Sequence, residues 1–263
     1  MGIFKKDKLQ IINFQSYGTA TRLYVRGRAI EDENIDLDQK GIFNLMGNTW
    51  KRFETDEVRN TTLKITFSNG ETVEGTTDDD GYSSLKWKVI LNTMFKRATK
   101  RRQLDGASDF YMKLHNGKTG SEANPLFYVS HSPWNLYRYL ELFLKTNNFP
   151  KGPILLRSMA SFRMRKKNDE KPQKQREISN LLKAYPNLPF ILIGDSGEKD
   201  GDIYQEISNV FPGRIKAIYL RSVNHSRRMK RIENLFLDFK DIPFLMVNKT
   251  EEAIAHAKEN GFI

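Results

Sequence analysis

The sequence predicts an α/β protein whose parallel sheet has helices on both faces and is preceded by a small antiparallel β-sandwich. Two observations support this prediction. From about residue 8 to residue 87, short stretches alternate apolar and polar residues, as strands with one buried face do. After Trp87 the chain instead alternates apolar runs with amphipathic stretches, which is typical of a parallel sheet covered by helices.

The first part of the chain contains two clear strand patterns, "TRLYVRGRAI" at residues 21–30 and "TLKITF" at residues 62–67. Apolar and polar residues alternate strictly in the second pattern, so one face of that strand is expected to be buried. Asn69 and Gly70 follow, and both residue types tolerate the positive φ of a two-residue hairpin turn. We therefore assign residues 1–87 to a β-sandwich domain and residues 88–263 to an α/β domain.

Five apolar runs in the second part predict its parallel strands: "LFYVS", "PILLRS", "FILIGD", "IKAIYLRS" and "IPFLMVN". Helical periodicity separates several of them. Ser132 and Pro133 suggest an N-cap with proline at the first helical position, and apolar residues then recur on one helical face. A second helix is predicted to begin near Lys174, and a third to run from Thr250 to about Gly261.

Charge and composition narrow the possible partners. The chain has 43 Lys and Arg against 32 Asp and Glu, a formal net charge of +11, which suits an anionic partner such as phosphorylated lipid, a membrane surface or nucleic acid. It has no cysteine, which excludes disulfides, zinc–thiolate sites and thiol nucleophiles. No apolar run approaches the roughly 20 residues of a membrane span. We expect a cytoplasmic protein that is at most peripheral to a membrane.

Side chains that could bind phosphate or a metal ion follow the predicted strands. Ser130 ends the first apolar run, Asp195 ends "FILIGD", Asp200 comes one turn later, and Lys174 begins the helix before that strand. In parallel α/β sheets ligands bind at the carboxyl ends of the strands. A hydroxyl, an ammonium and two carboxylates at that edge indicate a site for phosphate and Mg²⁺.

Simpler interpretations of the same residues stay open. Asp195 and Asp200 could instead be loop residues that cap the next helix, and Ser130 could instead be a helix N-cap. Lys174 lies in a basic stretch in which most lysines are expected to be solvated.

Longer segments of the second domain resemble one family, most clearly "FYVSHSPWNLY", "KQREISNLLKAYPNLPFILIGDSGEKD" and "FPGRIKAIYLRSV". They resemble the actin-patch-associated phosphatidate phosphatases and their bacterial relatives, a branch of the haloacid dehalogenase superfamily. The resemblance implies a haloacid-dehalogenase-like Rossmannoid sheet and an Mg²⁺-dependent phosphatase acting on phosphatidate. It also implies that Ser130 binds phosphoryl oxygens, that Lys174 neutralises the phosphate, and that Asp195 and Asp200 hold Mg²⁺.

One expected feature is absent from the sequence. These enzymes use a nucleophilic Asp two residues before an Asp acid/base, in the pattern DxDxT, and no stretch of this chain matches it. Asp78-Asp79-Asp80 follows a polar stretch and has Tyr82 in place of Thr. Because the family segment that follows the nucleophile strand resumes near Lys88, the sequence indicates that a central strand is missing between Trp87 and Lys88. We expect that the natural protein contains this stretch; the alternative is a non-catalytic binder of anionic lipid or phosphate.

Basic residues with a few apolar neighbours at 158–176 predict contact with an anionic membrane or with substrate, chiefly through Arg163, Arg165, Lys166 and Lys167. The alternative is an ordinary solvated surface. A nucleic-acid-binding role is disfavoured because no recognisable binding motif accompanies the charge.

Overall fold

The structure is a computed structural model that describes residues 9–19, 22–31, 62–66, 72–76, 105–157, 171–197, 199–223, 226–237, 239 and 241–263. The turn predicted at Asn69-Gly70, the triple Asp at 78–80 and the junction of Trp87 with Lys88 lie outside these residues, as do the four basic residues predicted to meet a membrane. Within the described part of the chain, no helix is both long and apolar enough to span a bilayer.

The described residues of the N-terminal part form three antiparallel strand pairs. Strand β1 (Leu9–Asn13) pairs with β4 (Gly27–Glu31), and β2 (Tyr17–Gly18) pairs with β3 (Leu23–Tyr24). Strand β5 (Thr62–Thr66) pairs with β6 (Thr72–Thr76). The antiparallel strands are therefore confirmed. Their assembly into a sandwich, and a domain boundary after residue 87, stay predictions.

The five apolar runs all form strands, and all of their pairings are parallel. Strand β7 (Tyr128–Pro133) pairs with β8 (Ile154–Arg157). The others are β9 (Phe190–Asp195), β10 (Ile215–Arg221) and β11 (Phe244–Val247), which form a sheet with β10 in the middle. The helices of the described chain are α1 (Ala107–Asn116), α2 (Tyr137–Thr146), α3 (Gln173–Ala184), α4 (Asp200–Val210), α5 (Ser226–Leu235) and α6 (Thr250–Glu259).

Strand β10 shows why helices cover both faces. Its side chains alternate, so Ala217 and Tyr219 pack on one face with residues of α1 and α6. Ile218 and Leu220 pack on the other face with residues of α3, α4 and α5. Each of these four residues is at most 1% exposed, so both faces of the strand are buried. The predicted α/β fold is confirmed.

The start of α2 differs from the prediction. Pro133 is not the first helical residue: it is extended, with φ −71° and ψ 155°, and it is the last residue of β7. A 3₁₀ turn, Trp134–Leu136, then leads into the helix at Tyr137. The Ser-Pro pair gave a wrong start because proline's φ fits an extended strand end as well as a first helical turn.

The parallel strands form two separate sheets among the described residues, since β7 pairs with β8 and β9 pairs with β10. Side chains nevertheless connect the sheets. The ring of Phe127, just before β7, lies 6.5 Å from the ring of Phe190 on β9, and Val129 packs against the core cluster that contains Leu192. Strands β7 and β9 are thus neighbours without a shared ladder in the described chain.

Two helices link the sheets, one on each face. On α1, Phe110 packs edge-on against Tyr219 of β10, and the next residue, Tyr111, stacks with Tyr128 of β7. On α3, Leu182 belongs to the core of the β9–β11 sheet, while Leu181 packs with residues of β7 and β8.

The N-terminal strands contact the α/β part directly. Phe14 stacks on Tyr137 of α2 with ring centroids 4.2 Å apart, and the hydroxyl of Tyr137 accepts a hydrogen bond from the backbone N–H of Gln15 at 2.7 Å. Arg26 forms a bidentate ion pair with Glu177 of α3, with nitrogen–oxygen distances of 3.0 and 3.2 Å. Helix α3 therefore contacts the N-terminal strands as well as both parallel sheets.

We predict that Tyr219 contributes to alkaline unfolding. Burial raises the pKa of Tyr219 to about 12, and its hydroxyl lies 3.0 Å from Nδ1 of His256. Because the unfolded chain releases this proton near pH 10, stability from the neutral phenol is complete below about pH 10 and is lost as pH rises to about 12. Tyr219→Phe should therefore reduce the loss of unfolding free energy across that window by up to about 2 kcal/mol, measured by urea titration at each pH. Equal losses in the two proteins would contradict this role.

Candidate active site

A buried ion pair lies at the centre of the candidate site. Lys174, in the first turn of α3, donates a 2.6 Å hydrogen bond to Oδ1 of Asp200, the first residue of α4. Their side chains are only 9% and 2% exposed. Lys174 is therefore not one of the solvated lysines of its basic stretch, and Asp200 does more than cap a helix.

Asp195 lies beside this pair because it is the last residue of β9. Its backbone N–H donates to Oδ2 of Asp200 at 3.3 Å, and its own Oδ1 accepts the N–H of Gly197 at 2.8 Å. The strand end and the following turn thus hold the two carboxylates next to each other, as the sequence predicted.

Gly194 allows this close approach. A Cβ at that position would overlap Oδ2 of Asp200 and would lie 2.8 Å from the hydroxyl of Tyr204. The Tyr204 hydroxyl donates a 2.8 Å hydrogen bond to the carbonyl of Ile193. Any larger residue at 194 would push Asp200 away from the strand end.

The electrostatics of the pair show opposing effects. Burial raises the pKa of Asp200 above its usual value, and the Lys174 ammonium acts in the other direction through its charge and its hydrogen bond. Burial also raises the pKa of Tyr111 to about 12, with a smaller contribution from the negative charge of Asp200. The Tyr111 phenol is therefore neutral near pH 7 and lies close enough to Asp200 to respond to its charge.

Ser130 is not joined to this cluster. It lies in β7, and its Oγ lies 3.1 Å from Oγ of Ser132 and accepts the backbone N–H of Ser132 at 3.1 Å. Its hydroxyl makes no hydrogen bond to Lys174, Asp195 or Asp200. The structure thus brings together three of the four predicted residues.

Three site residues were missed by sequence reasoning. Ser196 is fully buried, and its Oγ accepts the backbone N–H of Val223 at 3.1 Å, which fixes the turn after β9 to the end of β10. The position of Tyr204 could have been predicted, because Tyr204 follows Asp200 by one turn of the same helix. The position of Tyr111 could not, because its distance from Asp200 depends on how α1 packs against the sheets.

The donor set fits a hard cation held mainly by the substrate and water. Within the described residues, no group of three or more His, Asp or Glu side chains could hold a metal ion. Mg²⁺ does not need such a cage, since one or two carboxylates plus phosphate oxygens suffice. Both oxygens of Asp200 accept hydrogen bonds, one from Lys174 and one from the backbone of Asp195, and Oδ1 of Asp195 accepts one from Gly197.

Part of the chain matches a known protein family. Residues 81–222, more than half of the chain, match the family described as "Phosphatidate phosphatase APP1, catalytic domain". The chain belongs to this family. The resemblance inferred from the sequence is therefore confirmed.

Two curated proteins are similar to this chain. Phosphatidate phosphatase APP1 of Saccharomyces cerevisiae is 36% identical over 140 residues, which are 53% of this chain and 23% of that protein. An uncharacterised protein of Schizosaccharomyces pombe is 35% identical over 124 residues, which are 46% of this chain and 19% of that protein. The chain thus spans less than a quarter of each relative. No solved structure matches it.

We predict that Lys174→Met will lower the unfolding free energy by about 3–5 kcal/mol, because it leaves the Asp200 carboxylate buried without its cation. In the double variant Lys174→Met/Asp200→Asn the loss should be smaller than the sum of the two single losses, since the charge is then removed as well. Lys113→Met is the matched control, because it breaks a 2.7 Å pair with Asp109 whose side chains are 40% and 54% exposed. It should cost less than about 1 kcal/mol. Additive losses in the buried pair would rule out the coupling.

Proposed function

We propose that the complete protein is an Mg²⁺-dependent phosphatase of the haloacid dehalogenase type that hydrolyses a phosphomonoester, with phosphatidate as the favoured substrate. The observation that carries this proposal is the cluster of Lys174, Asp195 and Asp200 at the end of β9, in a chain that belongs to the APP1 family.

Each residue has a distinct role in this proposal. Lys174 holds Asp200 in place and supplies positive charge where a phosphate group would enter. Asp195 and Asp200 would hold Mg²⁺ together with phosphate oxygens and water. The ion would neutralise charge on the phosphate oxygens. Ser130 is proposed to donate its hydroxyl to a phosphoryl oxygen, which requires it to exchange its bond with Ser132 for one with the substrate.

The proposed reaction needs a nucleophile that this sequence does not contain. A carboxylate oxygen of the first Asp in the missing DxDxT segment would form a bond to phosphorus while the bond to the alcohol oxygen breaks, and the second Asp of that segment would give the leaving alcohol its proton. Water would then hydrolyse the aspartyl phosphate. For phosphatidate the alcohol is diacylglycerol.

The division of the sheet supports a missing strand. Strands β7 and β9 are neighbours through Phe127 and Phe190 yet share no ladder among the described residues. A strand between them would pair with both and would place its carboxyl end beside Asp195. An intact mass of the protein purified from its source tests this directly. A mass equal to that of these 263 residues would exclude an omitted segment.

The second candidate function is a non-catalytic binder of anionic lipid or phosphate. It is favoured by one observation, the absence of DxDxT from the sequence. Release of phosphate that depends on Mg²⁺ separates the two, since a binder releases none.

The proposal also includes the location of the enzyme in the cell and its association with a membrane. We place it in the cytoplasm, bound peripherally to an anionic membrane surface through Arg163, Arg165, Lys166 and Lys167. Its support is the positive charge of the chain, +11, and the run of basic residues at those positions.

We predict that Asp195→Asn in the complete protein will abolish phosphate release with little loss of stability. Asparagine keeps an oxygen that can accept the N–H of Gly197 but removes the charge that a hard cation needs. Asp109→Asn, at an exposed helix position, is the control and should leave turnover unchanged. Phosphate release at saturating Mg²⁺ measures both. Normal turnover of Asp195→Asn would refute the assignment.

A further inference from the structure

A basic pocket lies beside the acid cluster formed by Asp195 and Asp200. The pocket is located between the turn after β9 and helix α5. Its volume is about 560 Å³, and its lining residues are Gly197, Lys199, Asp202, Arg227, Arg228 and Arg231. None of these residues has a role in the proposed reaction.

The pocket carries a surplus of positive charge. Its lining contains four cationic side chains and one carboxylate. Arg231 pairs with Asp202, so this carboxylate is already neutralised. Lys199 and Arg227 form no ion pair with any residue of the described chain, and both are exposed. A ligand in the pocket would therefore meet cations that no described carboxylate satisfies.

Arg228 fixes the pocket next to the candidate active site. Its Nη1 donates a 2.8 Å hydrogen bond to the carbonyl of Gly197, whose N–H donates to Asp195. Val223, which is 41% exposed, contacts the Gly197 side of the pocket. Exposed cations and an exposed apolar side chain thus lie next to each other at the rim of the pocket. Protein surfaces that bind lipid headgroups have the same combination.

We propose that this pocket is a second anion site that binds a phosphate group next to the acid cluster. The size is that of a small-ligand site, and guanidinium groups recognise phosphate by charge and by paired hydrogen bonds. The phosphate belongs either to the headgroup of an anionic phospholipid or to a free phosphate ion. Binding requires neither the nucleophile nor Mg²⁺, so the proposal goes beyond the phosphatase function and does not depend on it.

The test compares two double variants of equal charge. Lys199→Gln/Arg227→Gln removes two cations from the pocket. Lys216→Gln/Lys258→Gln removes two exposed lysines outside it, one on β10 and one on α6. The whole chain is used in the presence of a metal chelator, and circular dichroism shows that all three proteins fold alike. Inorganic phosphate is titrated by calorimetry, and binding to phosphatidylcholine vesicles with and without phosphatidate is measured by sedimentation.

We expect the pocket variant to bind at least one probe roughly tenfold more weakly, because each cation near an anionic headgroup strengthens binding several-fold. The control should change by less than about twofold, since distant exposed charges are screened by salt. If the pocket variant binds both probes more weakly, the pocket is a general phosphate site. If only its binding to vesicles weakens, the ligand is the lipid headgroup. If only its binding of inorganic phosphate weakens, the ligand is the free ion. Equal weakening by both double variants, or no binding of either probe to the unaltered chain, overturns the proposal.

Discussion

The buried pair of Lys174 and Asp200 is the interaction on which the rest of the site depends. It joins the first turn of α3 to the first residue of α4, and the strand that ends at Asp195 connects those helices in the sequence. A buried ion pair gains little net stability, because removing both charges from water costs about as much as their attraction returns. An apolar pair of similar size would hold the helices equally well. The charges are therefore better explained by chemistry at the strand end than by stability.

Helix α3 extends this constraint beyond the site. One turn after Lys174, Glu177 binds Arg26 of the N-terminal part, and Leu181 and Leu182 then pack against different sheets. Any shift of α3 would consequently move the ammonium at the site, the N-terminal strands and the contact between the sheets together. That coupling matters because β7 and β9 have no ladder between them among the described residues, where side-chain packing is what connects them.

The sequence was informative where one strong local pattern decided the structure. Apolar runs located the parallel strands because a strand that is buried on both faces must be apolar at nearly every position. Few other structures produce such a run. The strand-end rule predicted that Ser130 and Asp195 lie at one edge of the sheet, because parallel strands bring their carboxyl ends together. It could not predict the hydrogen-bond partners, since Ser130 bonds Ser132 whereas Asp195 bonds Asp200. The roles of these residues stay predictions. Tyr111 could not be predicted, because its position depends on the packing of a helix between two sheets.

The basic pocket escaped sequence reasoning for a related reason. Its cations come from the turn after β9 and from α5, and neither segment alone is unusual in a chain with net charge +11. Only the fold places them together, across Gly197 from Asp195. This placement has an electrostatic consequence. If a dianionic phosphate binds at the end of β9 as proposed, Asp195 and Asp200 alone would repel it, and the cations of the pocket together with Lys174 would offset that repulsion. In that proposal the positive charge of the chain would lie where its acids would otherwise oppose binding.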